Sequence, residues 1–243
     1  MATEAGKRII VALDFSELPP ALEIADSIGP QVGMLKVGLE LFNSVGPRAI
    51  EALRERGARV FYDSKFSDIP NTVAGAAAAA TRLGVSMFNI HALGGLAMMS
   101  AARDAAERSS ADAGLPTPAV IAVTVVTSLS EAQLQGELGI PSTPAEAAVR
   151  LARLASDAGL DGVVCSAHEI DAIKRVCGRE FLAVTPGIRP EWAQAGDQAR
   201  VATPREAFTA GADYLVIGRP ITRATDPAQA LQRVIREISG GAS

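Results

Sequence analysis

Short runs of consecutive apolar residues alternate along the chain with longer, Ala-rich segments. The runs are RIIVAL (8–13), MLKVG (34–38), ARVFYD (58–63), VSMFNIH (85–91), AVIAVTVVT (119–127), DGVVCS (161–166), FLAVTP (181–186) and DYLVIG (213–218). Continuous apolarity over so few residues suits strands covered on both faces, as in a parallel sheet. The intervening segments predict helices: ELPPALEIADSI (17–28), PRAIEALRERG (47–57), NTVAGAAAAATRLG (71–84), LAMMSAARDAAERSS (96–110), TPAEAAVRLARLASDAG (143–159), HEIDAIKRVCG (168–178), TPREAFTAG (203–211) and DPAQALQRVIREIS (226–239). Gly57, Gly84, Gly159 and Gly211 stand where helices stop, at the position that favours a left-handed residue. Eight β/α units without a linker or low-complexity break predict an α/β protein: one (β/α)8 TIM barrel, a single domain over 1–243. A doubly wound sheet is the structural alternative, but eight strands in this length favour closure.

Composition narrows the picture. Of 243 residues 48% are hydrophobic and only 4% aromatic, so the core must be aliphatic. The formal net charge is −4 and no Lys/Arg-rich run occurs, which argues against a nucleic-acid partner. No apolar stretch is long enough to span a bilayer, and MATEAGKR has no apolar signal core, so a cytoplasmic protein is expected. Two cysteines, Cys165 and Cys177, are too few for a disulfide scaffold, and His91 and His168 offer no zinc-binding spacing. The Ala run 76–80 reads as a helix face packed on the barrel or on another subunit.

In such barrels the chemistry sits at the C-terminal ends of the strands. Those ends carry Asp14 after strand 1, Lys36 in strand 2, Asp63 with Lys65 and Asp68 after strand 3, His91 on strand 4, and Thr127 and Ser128 after strand 5. Lys36 lies inside an otherwise apolar strand, where an unpaired ammonium is costly. The last two strand ends, TPGIR (185–189) and IGRPI (217–221), bring glycines beside Pro186, Arg189, Gly218 and Arg219. Two Gly–Arg pairs on consecutive strand ends predict a phosphate site. Asp63 and Lys65 should attract by about 4 kcal/mol at ~4 Å and an effective dielectric near 20. A Lys–Asp–Lys–Asp array sets a fixed anion beside a proton donor, useful where negative charge develops on a carbon that is then protonated.

The pieces VALDF (11–15), LKVGLELF (35–42), DSKFSDIPNTV (63–73), VTSLS (126–130), TPGIRP (185–190), GDQARVATP (196–204) and IGRPIT (217–222) occur in the order seen in one family. The sequence resembles the orotidine 5′-monophosphate decarboxylase family, type 1, over essentially its whole length. The resemblance implies decarboxylation of orotidine 5′-monophosphate to uridine 5′-monophosphate and CO2, the last step of de novo pyrimidine synthesis. It also implies a homodimer that uses neither metal nor organic cofactor. On this reading Lys65 protonates C6, Asp63 lies against the departing carboxylate, and Lys36 completes the charge network. Asp68 would reach into the partner subunit's site, with Thr72 also donated across the dimer. Asp14 and Lys36 would contact the ribose, and Ser128, beside Thr127, would hold the pyrimidine. Gln198, Arg219 and the Gly218 amide would grip the phosphate, with Arg189 nearby, and the segment 190–200, which carries Gln198, would act as a lid over phosphate and base. His91 reads as a hydrogen-bonded rim residue and Cys165 as core.

Two other readings compete. Decarboxylases or aldolases of sugar phosphates share the D-x-K-x-x-D motif but hold Mg²⁺ with extra carboxylates on neighbouring strand ends. A nucleotide-sensing module would need Arg219 and Gln198 but not Asp63, Lys65 and Asp68 together.

Overall fold

A computed structural model of the chain describes residues 2–193 and 201–240. Eight parallel strands, β1 (Ile9–Ala12), β2 (Met34–Val37), β3 (Val60–Phe66), β4 (Met87–His91), β5 (Ala119–Val123), β6 (Gly162–Val164), β7 (Leu182–Thr185) and β8 (Tyr214–Ile217), close into a barrel in sequence order. The eight predicted helices are present as α1 (Leu18–Ile28), α2 (Arg48–Glu55), α3 (Pro70–Arg82), α4 (Gly95–Ala113), α5 (Pro144–Asp157), α6 (Ile170–Cys177), α7 (Pro204–Thr209) and α8 (Pro227–Ser239). Local chemistry fixes their ends. Thr143 and Thr203 cap α5 and α7 in reciprocal capping boxes with Glu146 and Glu206, and a proline follows each cap. Gly57, Gly84, Gly159 and Gly211 all take positive φ. Four short helices were not foreseen: Glu4–Lys7, Leu39–Val45, Glu131–Gly136 and Arg219–Thr222. Each is too brief to show a helical repeat in the sequence.

The strand period of two sorts side chains into two apolar clusters. Ile9 and Val11, Leu35 and Val37, and Val60 and Tyr62 face outward, into the layer between barrel and helices. Ile10, Met34, Phe61, Met87, Ile121 and Val184 fill the barrel interior. Two residues further along, the inward positions become Ala12, Lys36, Asp63 and Asn89. The interior thus turns from apolar to charged one layer below the mouth. In the outer layer the Ala run behaves as expected. Ala77 and Ala80 are buried, and helices α3 and α4 come close enough for Ser109 Oγ to donate to the Ala78 carbonyl at 3.1 Å.

The main departure concerns β3, which continues to Phe66 rather than ending at Asp63. Tyr62 pairs with Phe88 and Phe66 with Ile90, so four steps along β3 match two along β4. The extra residues bulge, and Lys65 adopts φ +50°, the one non-glycine among the described residues with positive φ. Lys65 is therefore a strand residue in a strained conformation, not a loop residue. Strand β5 is shorter than predicted and stops at Val123. Thr127 and Ser128 lie in a turn in which the Leu129 amide donates to the Val126 carbonyl at 3.1 Å.

Candidate active site

A cavity of roughly 320 Å³ opens at the C-terminal mouth of the barrel. One wall is charged. The Lys36 ammonium lies 3.2 Å from Asp14 Oδ1 and 3.1 Å from Asp63 Oδ2. Asp63 Oδ1 in turn meets Lys65 Nζ at 2.5 Å. Asp14, Lys36, Asp63 and Lys65 therefore form an unbroken chain of alternating charge. They come from the turn just after β1 and from β2 and β3, and the strand registers place Ala12 beside Lys36 and Lys36 beside Phe61. Lys36 is buried, as its position in the strand required, and its two carboxylate partners explain why it is tolerated there.

The electrostatics follow from this packing. Burial pushes the Asp63 carboxyl upward, but Lys36, then Lys65, and hydrogen bonds from Lys65 and Asn89 outweigh it and bring it down to about 2. Burial likewise pulls the Lys36 ammonium down, and Asp63 and then Asp14 more than reverse it, so its value ends above the usual range. At neutral pH Asp63 and Lys36 therefore keep their charges. His91, half-buried at the end of β4, is lowered by burial and by the nearby Lys65 charge, so it is neutral at pH 7. It does not line the cavity.

The floor and opposite wall are apolar and then basic. Phe61, Val123, Val164, Val184 and Val216 form the floor, and Thr127 and Ser128 border it. Pro186, Gly187, Arg189, Gly218 and Arg219 line the far side. Gly187 has φ +79°, which a side chain would strain. Just beyond it the chain is pinched: the Arg189 amide donates to the Ala202 carbonyl at 2.9 Å, and the Ala202 amide to the Gly187 carbonyl at 3.2 Å. This bridge fixes the backbone from which Arg189 projects.

The expected site residues are thus brought together in one cavity, with three exceptions. Asp68 and Thr72 are exposed at the start of α3 and do not line their own chain's cavity. The Asp68 carboxylate accepts from the Ile69 amide at 2.6 Å. Gln198 lies outside the described residues. Sequence reasoning missed the part played by Asn89. Its Nδ2 donates to Asp63 Oδ1 at 2.7 Å and its Oδ1 accepts from the Lys65 amide at 2.7 Å. An asparagine inside an apolar strand run, two positions before a strand end, was the available signal.

The donor set bears on the magnesium-dependent reading. The strand ends flanking Asp63 carry an ammonium, Lys36, and an amide, Asn89, where that reading needs carboxylates. Among the described residues no group of three or more His, Cys, Asp or Glu is placed to hold a metal ion.

The chain is similar to known proteins over most of its length. The family model described as "Orotidine 5'-phosphate decarboxylase / HUMPS family" matches residues 7–234. The orotidine 5'-phosphate decarboxylase of Moorella thermoacetica is 53% identical over 96% of this chain and 93% of its own length. That of Pectobacterium atrosepticum is 55% identical, over 96% of this chain and 92% of its own. The crystal structure of orotidine 5'-phosphate decarboxylase from Lactobacillus acidophilus superimposes with a TM-score of 0.84 at 38% identity, covering 95% of this chain and 98% of that one. The conclusion is that this chain belongs to the orotidine 5′-phosphate decarboxylase family.

Proposed function

We propose that this protein is a carboxy-lyase that converts orotidine 5′-monophosphate to uridine 5′-monophosphate and CO2. The observation that carries the reading is the Asp14–Lys36–Asp63–Lys65 chain, set over an apolar floor and facing Gly187, Arg189, Gly218 and Arg219. The phosphate goes to the basic side, where Arg189 and Arg219 supply guanidinium forks and Gly218 its amide. The ribose then lies along Asp14 and Lys36, and the pyrimidine above the valines, bordered by Thr127 and Ser128. This orientation points the C6 carboxylate at Asp63.

Asp63 is ionised, so the substrate carboxylate meets a fixed negative charge and an apolar floor. Loss of neutral CO2 relieves both. The C6–carboxylate bond breaks, its electron pair stays on C6, and the Lys65 ammonium gives C6 a proton. Lys65 is then reprotonated from water. Lys36 holds Asp63 from the other side and keeps it ionised. Binding energy from the distant phosphate supports this orientation.

We read residues 1–243 as one catalytic domain of a cytoplasmic homodimer, without nucleic-acid or membrane partners. No described helix is long and apolar enough to cross a membrane. In support of the dimer, the exits of β2, β3 and β4 expose Leu39 (51%), Ile69 (65%), Leu93 (56%) and Leu96 (46%), a large apolar rim for a lone chain. Asp68 and Thr72 stand at that rim, and we assign them to the partner's cavity. Mixing Lys65→Ala and Asp68→Ala chains should then recover about a quarter of the wild-type activity, because half the dimers regain one intact site. Recovery of none would place Asp68 elsewhere.

The test of the reaction is loss of the orotate absorbance when purified protein meets orotidine 5′-monophosphate, with and without EDTA and alongside Lys65→Ala. Metal-independent loss that the substitution abolishes is the expected result. No loss in the wild type would redirect attention to sugar phosphates with Mg²⁺.

A further inference from the structure

Asn89 is 1% exposed and sits opposite the β3 bulge, where Asp63, Ser64 and Lys65 all face it. It meets each of the three. Its Nδ2 donates to Asp63 Oδ1 at 2.7 Å, its Oδ1 accepts from the Lys65 amide at 2.7 Å, and its backbone carbonyl accepts from Ser64 Oγ at 2.8 Å. The carboxamide orientation is unambiguous: flipping it would set an NH2 against an N–H and a carbonyl against a carboxylate. Lys65 is held at φ +50°, a conformation an ordinary side chain leaves unless its surroundings fix it. The Asn89 bond to the Lys65 amide supplies that restraint, and the bond to Asp63 aims the carboxylate that Lys65 Nζ contacts.

We propose that Asn89 is a positioning residue for the decarboxylation. One neutral side chain fixes both the strained backbone of the proton donor and the orientation of the anion beside it. This rests on the function proposed above. Neither aspartate nor an aliphatic residue can replace it. Aspartate keeps the acceptor for Lys65 but sets a second carboxylate against Asp63; alanine leaves the Lys65 amide and one Asp63 oxygen short of a partner.

The experiment compares wild type, Asn89→Ala and Asn89→Asp by kcat and KM for orotidine 5′-monophosphate between pH 5 and 8. The affinity for uridine 5′-monophosphate is measured in parallel. For Asn89→Ala, kcat should fall about 100-fold, the loss a displacement of about 1 Å brings. Its uridine 5′-monophosphate affinity should stay within about threefold, since the phosphate and base contacts are untouched. For Asn89→Asp, kcat should be low at pH 8 and rise as pH falls, because a protonated carboxyl again donates to Asp63 while accepting from Lys65. The titratable groups nearby are Asp63 and Lys65 on β3, Lys36 on β2, Asp14 after β1 and His91 on β4. All are shared with the wild type, whose profile should lack this acid-side recovery. Variants with kcat within twofold of an active wild type would overturn the inference alone. So would a parallel loss of kcat and nucleotide affinity without pH-dependent recovery, which marks a merely structural role. No turnover by the wild type would overturn the proposed function and this inference with it.

Discussion

Replacing Asp63 by Asn removes one charge from the middle of the Asp14–Lys36–Asp63–Lys65 chain while keeping the side chain's shape. The amide also mimics the protonated carboxyl, which lets the structure set a magnitude. The Asp63 carboxyl is brought from 3.8 down to about 2 by Lys36, Lys65 and the hydrogen bonds from Lys65 and Asn89, against the upward pull of burial. Its side chain is 14% exposed, so solvent screening does little to reduce the effect. That drop corresponds to about 2 kcal/mol of folding stability at neutral pH. The folded value lies below the unfolded one, so the contribution is complete above about pH 4 and is lost as pH falls through about 2. About half of it remains at pH 3. Urea unfolding of wild type and Asp63→Asn at pH 7 and pH 3, at one protein concentration, reads this difference. The variant should be less stable by about 2 kcal/mol at pH 7, and the gap should shrink to about 1 kcal/mol at pH 3. A gap that does not change with pH, or a variant more stable than wild type at pH 7, would refute the view that the lysines outweigh burial at this carboxylate.

Two further outcomes follow from the same geometry. Arg219→Ala should raise KM for orotidine 5′-monophosphate about 10- to 150-fold, the equivalent of about 1.5–3 kcal/mol for a charge-assisted hydrogen bond. Its effect on inhibition by uridine, which has no phosphate, should be small; equal weakening of both would place Arg219 away from the phosphate. Gly38→Ala introduces a methyl 2.9 Å from Lys36 Nζ and 3.5 Å from Asp14 Oδ1. Lys36 is pinned between two carboxylates, so the displacement should pass to Asp63 and lower kcat about tenfold or more, with the melting temperature little changed. Unaltered kcat would mean that Lys36 yields without disturbing Asp63.

The sequence by itself determined the barrel, because eight apolar runs covered on both faces leave few other arrangements in a chain of 243 residues. It also carried the identities of the charged residues, since Asp14, Lys36 and Asp63 fall within or just past the apolar strand runs by simple counting. Short elements such as Leu39–Val45 and Arg219–Thr222 escaped it, because one or two turns of helix show too little of a period and are held by what they pack against. Only the tertiary structure decided how the charges meet. A strand pattern sets Asp63 and Lys65 on one face but gives no sign that β3 bulges, because a bulge is a mismatch between two strands and is written in neither alone. The same holds for Asn89, which in the sequence is one polar residue in an apolar run. Its three bonds exist because closure of the barrel sets β4 against the bulged β3. Asp68 and Thr72 mark the opposite limit, exposed at the apolar rim and outside their own chain's cavity. Local pattern specifies which face a residue takes; the distances on which charge networks depend arise only when separate strands are brought into register.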